Sequence, residues 1–186
     1  HDSMVRAEDA MTNTVARSME VVKPTNIEEL QKAVRDADKV RIHSSHRSFA
    51  TTADTDGVLI CLDEISWDES ILQIDAHKCT VTCSAFMTCG DLATYLEEHG
   101  WALQNLPSSL NISTAGAIIT GSHGSGDSCG MLTTSVVSVD YVDADGCLVA
   151  TTHNELSSPS LGAAVDPALQ ALILGSLGVL VQLTLR

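Results

Sequence analysis

The segment Asn105–Gly126, N-L-P-S-S-L-N-I-S-T-A-G-A-I-I-T-G-S-H-G-S-G, constrains this 186-residue chain more than any other. Glycine, serine and threonine dominate it, and no amphipathic period runs through it. Small side chains let a backbone come close to a ligand and present N–H groups and hydroxyls to anionic oxygens. Composition alone leaves a glycine-rich surface loop as an equal reading.

The charge balance narrows what such a segment would hold. Ten Lys and Arg stand against twenty-four Asp and Glu, a formal net charge of −14. A surface this acidic repels a phosphate backbone, which argues against nucleic acid as a partner. An anionic cofactor would have to be gripped by local backbone N–H groups and a few placed cations. Apolar residues make up 44%, a soluble globular composition, and a run such as Ala171–Leu174 is far too short to cross a bilayer. The cysteines at 61, 79, 83, 89, 129 and 147 match no zinc spacing, and no metal site is expected. Free, buried thiols in a reducing compartment are the expectation, with a disulfide pair as the alternative. No signal-peptide pattern opens the chain, which favours a cytoplasmic location. His1-Asp2-Ser3 ahead of Met4 reads as a cloning remnant and leaves a removed signal open.

Residues 1–19 show neither period nor turn logic and read as an arm, an irregular strand or a remnant. Order is expected from Glu20. Thr25 stands three before Glu28 as a capping box, and Ile27, Leu30, Ala33, Val34 and Ala37 recur at helical spacing, predicting a helix over 26–37. Val40–Ile42 and the apolar run 57–62 read as strands of a small parallel unit. From there the pattern changes. Residues 71–75 and 80–83 read as a hairpin, Thr88 with Asp91 caps a helix that Gly100 stops, and Asp143–Gly146 turns a second hairpin. Asp166-Pro167 starts a last helix, and 178–185 returns as a strand. The fold class expected is α+β, two packed α/β subdomains covering about 20–70 and 71–186, with the change near 65–75. The finish on a strand, without a closing helix, reads as a domain cut from a longer polypeptide.

Several short segments together resemble the vanillyl-alcohol-oxidase/para-cresol-methylhydroxylase type of FAD-binding fold. They are Val22-Lys23-Pro24, Thr55–Ile60, Cys89–Leu92, Ala115-Gly116 with Thr120–Gly126, Ala144–Gly146 and Gly175–Val179, and they occur in family order. The branch they resemble is that of the alditol and aldonolactone (gulonolactone) oxidases. The resemblance implies FAD, with its diphosphate between two loops. In the second, Ser108, Ser113, Gly116, Thr120, Gly121, Ser122, His123 and Gly124 would line the cofactor. Val179 would meet the adenine side through its backbone.

The first loop, Ser44-Ser45-His46-Arg47-Ser48-Phe49, departs from the family pattern. The family places there a glycine and a histidine bonded to the flavin. Aligned on Ser48-Phe49, those positions hold Ser44 and Arg47. A guanidinium is not a nucleophile, so a non-covalent flavin is expected, with a slipped His46 as the alternative. A Cβ at a left-handed position costs roughly 1 kcal/mol or more. Charge-assisted bonds from Arg47 and His46 to phosphate contribute about 1.5–3 kcal/mol each. These effects are of similar size, so a tight site and an empty one both stay open.

The resemblance implies part of an oxidase acting on CH–OH groups of a polyol or sugar lactone. The substrate (cap) domain is expected to be absent, the catalytic residues to lie outside the chain, and the isolated chain to be inactive. A companion chain carrying the cap, or self-association through a face left uncovered, would follow. The alternative is a stand-alone or cofactor-free module of the same fold with a binding or structural role.

Overall fold

The computed structural model describes residues 5–8, 15–18, 20–45, 53–66, 68–151, 175 and 177–186. Strands β1 (Val5–Glu8) and β2 (Val15–Ser18) pair antiparallel, with Val5 opposite Ser18. At four residues each they are too short to show a period, so the sequence offers only an arm here.

β3 (Glu20–Val22), β4 (Val40–His43) and β5 (Val58–Cys61) form a parallel sheet in the order β3-β5-β4. Helix α1 (Ile27–Arg35) crosses from β3 to β4 and buries Leu30 and Val34, as its apolar spacing requires. Its start lies one residue later than the Thr25–Glu28 pattern suggests. Asn26 is the cap, accepting from the Glu29 N–H at 2.9 Å, while the Glu29 carboxylate accepts from the Thr25 N–H at 2.8 Å and hydroxyl at 2.9 Å. Asparagine caps as well as threonine, and Thr25 is already engaged by Glu29. The helix ends at Arg35, two residues short of the expected span, because Asp36 takes the C-cap position.

β6 (Gln73–Asp75), β7 (Thr80–Ser84), β8 (Val136–Val142), β9 (Leu148–Ala150) and β10 (Val179–Leu185) make an antiparallel sheet, ordered β6-β7-β10-β8-β9. Both expected hairpins are there, except that Ile71 ends a 3-10 turn rather than opening a strand. Asp68 nucleates that turn by accepting from the Ser70 N–H at 2.8 Å. β10 lies centrally between β7 and β8 and shifts register between Leu180 and Gln182. Such a bulge lets one strand feed two cores. Leu183 and Leu185 join Val81, Cys83 and Val139 under helices α2 (Cys89–Glu98) and α3 (Thr114–Ile119). Val179 and Val181 join Val142 with Leu30, Val34 and Ile60. Helix α1 is thereby packed against residues of both sheets. Thr88 caps α2 as the sequence predicts, accepting from the Asp91 N–H at 3.1 Å, and Gly100 ends it with φ +75°. The helix expected after Asp166 lies outside the described residues. Among those described, no helix is long and apolar enough to cross a membrane.

All six cysteines are free, but not all are buried. Cys61, Cys83 and Cys89 are inside, where burial pushes the Cys83 thiol up to about 12 and the other two to about 11. Cys79 and Cys147 are exposed because the chain turns beside them, Cys79 with φ +52° and Cys147 after the β8–β9 turn. Thiol–disulfide exchange needs an accessible thiolate. With Ellman's reagent at pH 8, Cys79 and Cys147 are expected to react at once. Cys61, Cys83 and Cys89 should wait for denaturant, and their prompt labelling in native protein would contradict this core.

Candidate functional site

Two loops far apart in sequence meet at the edge of this core. β4 ends at His43 and delivers the chain to Ser44 and Ser45, both half-buried. The Ser113 N–H donates to the Ser45 hydroxyl at 3.2 Å. Ser113 is itself the cap of α3, its Oγ accepting from the Gly116 N–H at 3.1 Å. The helix is pinned beneath the exit of β7: Thr114 N–H donates to the Met87 carbonyl at 2.8 Å and Ala115 N–H to that of Ala85 at 3.0 Å. The buried Thr114 hydroxyl reaches the Ser84 and Ala85 carbonyls at 3.0 and 3.1 Å. Each amide from Ser113 to Gly116 therefore already has a protein acceptor. What Ser113 and Gly116 offer a ligand is closeness. A Cβ on Gly116 would stand 2.9 Å from the Ser113 hydroxyl and displace the cap.

Past α3 the arrangement opens. The Thr120 hydroxyl donates to the Gly116 carbonyl at 2.7 Å and lies 3.3 Å from the Ser122 hydroxyl. Gly121, with φ +66°, turns the chain out of the helix in a conformation that favours glycine. The Ser122 N–H returns to the Ala117 carbonyl at 2.8 Å. Beyond it, the backbone N–H groups of His123, Gly124 and Ser125 make no hydrogen bond among the described residues. His123 is exposed, and its Nδ1 donates to the Gly124 carbonyl at 2.8 Å. A Cβ on Gly124 would stand 2.0 Å from Asn105 Oδ1 and 2.9 Å from the Leu106 carbonyl. Thr120–Gly124 is thus not part of a hydrophobic interior. It is an accessible run whose last two amides, those of His123 and Gly124, are unspent among the described residues, which is what a dianionic group requires of an acidic protein.

Of the residues singled out in the sequence, Ser45, Ser113 and Gly116 come together, with Thr120, Gly121, Ser122, His123 and Gly124 following directly from the same helix. Ser108 is exposed in the turn ahead of Ser113. Val179 sits in β10 opposite Val142, its side chain in the core, so only its main chain can face a ligand. His46, Arg47, Ser48 and Phe49 lie outside the described residues. Asn105 was not singled out. It is buried, its amide Nδ2 donates to the Gly130 carbonyl at 2.7 Å, and its Oδ1 faces Gly124. It braces the loop from within, and nothing in its spacing announces a buried amide.

Residues 19–152 match the family described as FAD binding domain. The chain belongs to that family. The FAD-binding domain is 35% identical over 176 residues to the alditol oxidase of Streptomyces sp. (strain IKD472 / FERM P-14339), covering 93% of this chain and 40% of that protein. It is 30% identical over 168 residues to the L-gulonolactone oxidase of Mus musculus, covering 88% and 36%. It is 34% identical over 169 residues to the D-arabinono-1,4-lactone oxidase of Yarrowia lipolytica (strain CLIB 122 / E 150), covering 88% and 31%. The chain thus spans about a third to two-fifths of the length of these curated relatives. The family resemblance read from the short motifs is correct, the mixed sheets and helices agree with an α+β FAD-binding domain, and the cofactor is FAD.

Two substitutions separate closeness from stability at this site. Ser113→Ala removes a helix cap and should cost about 0.5–2 kcal/mol in urea denaturation. Gly124→Ala forces the loop away from Asn105 and should weaken FAD binding by about tenfold or more, followed by quenching of flavin fluorescence. A Gly124→Ala protein with unchanged affinity would remove this loop from the cofactor site.

Proposed function

We propose that this chain is the FAD-binding part of an oxidase acting on CH–OH groups of a polyol or sugar lactone, and that it holds FAD without a covalent bond. The observation that carries the reading is the Ser113 N–H to Ser45 hydroxyl contact at 3.2 Å. It puts the loop after β4 beside the glycine- and serine-rich run, the pair of loops between which a diphosphate would lie. The printed names of the relatives, alditol, gulonolactone and arabinonolactone oxidases, support the substrate class.

In this reading the division of labour follows from the residues. Segments 20–70 and 71–186 act as two subdomains, each contributing one loop. The amides of His123 and Gly124 donate to phosphate oxygens, and the glycines at 116, 121 and 124 permit the approach. Ser44 and Ser45 belong to the opposite wall, to which the family resemblance also assigns His46, Arg47, Ser48 and Phe49. Arg47, where the family carries its flavin-linked histidine, adds a fixed positive charge and cannot attack carbon. Ser108 and the main chain of Val179 complete the lining. When bound, FAD supplies a two-electron acceptor for hydride from a carbinol carbon. Holding substrate against the cofactor contributes up to about 7–11 kcal/mol to catalysis, and that contribution belongs to residues outside this chain. That the chain covers only 40, 36 and 31% of these relatives supports a chain incomplete for turnover, the remainder being a cap domain or a companion chain. A cofactor-free module is the second reading, favoured by Ser44 in place of the family's glycine.

Incubation with FAD, removal of the excess and acid precipitation test both readings. The expected result is a yellow protein that releases its flavin to the supernatant. Colour retained in the pellet would show a covalent bond and refute the role given to Arg47. A protein that stays colourless would select the cofactor-free module.

A further inference from the structure

Helix α1 touches the β8–β9 turn through polar contacts that span more than a hundred residues. Gln31 Nε2 donates to the Gly146 carbonyl at 2.9 Å, Arg35 Nη2 to the same carbonyl at 3.3 Å, and Arg35 Nε to the Asp145 carbonyl at 3.4 Å. The approach is close enough that a Cβ on Gly146 would lie 2.5 Å from the Gln31 carbonyl oxygen and 2.9 Å from Arg35 Cβ. Gly146 also has φ +73°, so glycine is required here on two independent grounds.

The turn is stiff. Asp143 Oδ1 accepts from the Asp145 and Cys147 amides at 3.0 and 2.8 Å, and the Gly146 N–H returns to the Asp143 carbonyl at 3.0 Å. From this turn, β8 runs back to the residues that hold α3. Just before β8, the Thr133 hydroxyl donates to the Ile118 carbonyl at 2.9 Å, and the Leu132 N–H to the Ser122 carbonyl at 2.9 Å. At the other end, α1 leads within a few residues into β4 and Ser45. Lys39 between them is held tightly, its carbonyl accepting from the Val58 N–H at 2.9 Å. The two paths close on each other where the Ser113 N–H meets Ser45. The connections form a ring: α1, β4, Ser45, Ser113, α3, Thr133, β8, the β8–β9 turn, and α1 again.

We infer that Gln31 and Arg35, gripping the carbonyls of Asp145 and Gly146, are positioning residues for FAD. They fix the distance between the Ser45 loop and the Ser113–Gly124 loop from the far side of the ring. The inference rests on the reading of those loops as the cofactor's two walls. Apolar contact of Leu30 and Val34 with Val142 and Val179 brings the same parts together. That contact is non-directional and tolerates sliding, whereas hydrogen bonds to fixed carbonyls set a register. With the polar grip gone, α1 pivots on its apolar face, and the walls must be brought to the right separation when FAD binds. That ordering weakens affinity and loosens the hold on the diphosphate, although neither Gln31 nor Arg35 belongs to the cofactor's walls.

The test uses the 186-residue chain, with FAD as the titrant and flavin fluorescence as the readout, well below the melting temperature. Gln31→Ala/Arg35→Ala should raise the Kd for FAD by about tenfold. The far-ultraviolet circular dichroism of the FAD-free protein should be unchanged. The ³¹P resonances of the bound diphosphate should move toward those of free FAD, which a loss of stability alone would not cause. Gln31→Ala/Arg35→Lys keeps one donor over the turn and should recover part of the affinity. It also stands in if the double alanine variant does not fold. An unchanged Kd, or a loss that only tracks the melted fraction, would overturn the positioning role. Wild-type protein that takes up no FAD would overturn the functional reading and this inference with it.

Discussion

Close approach of main chain to main chain around α3 is the constraint on which the site depends. The helix is short, and its first-turn amides are tied to the Met87 and Ala85 carbonyls and to the Ser113 hydroxyl. That leaves the helix immovable beneath β7, and the run that follows it starts from a defined point. The amides of His123, Gly124 and Ser125, which make no hydrogen bond among the described residues, are those available to an anion. In a chain of net charge −14, fixed amide dipoles of this kind attract a diphosphate locally while the surface as a whole repels it.

The placement of β10 matters for the same reason. Its central position between β7 and β8 puts the last described strand at the heart of the antiparallel sheet. Val179 and Val181 face α1 while Leu180 faces α2 and α3, and the register shift between Leu180 and Gln182 puts Leu183 and Leu185 on the face of Leu180. One strand thus supports the parallel sheet that delivers Ser45 and the helix that presents Ser113. The loops come together because each is anchored to that shared support, and a hydrogen bond between two serines then suffices to join them.

Local features were legible where their partners are local. The Thr88–Asp91 cap and the Asp143–Gly146 turn depend on residues within a few positions of each other, and both occur as expected. The start of α1 slipped by one residue because Thr25, Asn26 and Glu29 compete for the same bonds, a choice that spacing cannot make. The expected burial of the thiols fails for Cys79 and Cys147, which are exposed, and in part for Cys129, which is half-buried, since being near a strand does not say which side of a turn a side chain takes. Asn105, Gln31 and Arg35 were not legible at all. Their acceptors lie 25, 115 and 111 residues away, and an asparagine or arginine with a distant partner looks like any polar surface residue.

By itself the sequence determined the family, helices α1 and α2, both hairpins, and the stretch where a backbone free of bulky side chains can approach an anion. Those are properties of short segments, written in glycine, serine and capping residues. Helix α3 inside that stretch carries no amphipathic period and was not legible. Only the tertiary structure decided which amides in that stretch stay available. Ser113 through Gly116 are spent on Ser45, Met87, Ala85 and the helix's own cap, and His123 through Ser125 are not. The reason is that a backbone donor has one strong acceptor at a time, and which acceptor reaches it first is settled by the packing of segments remote in sequence.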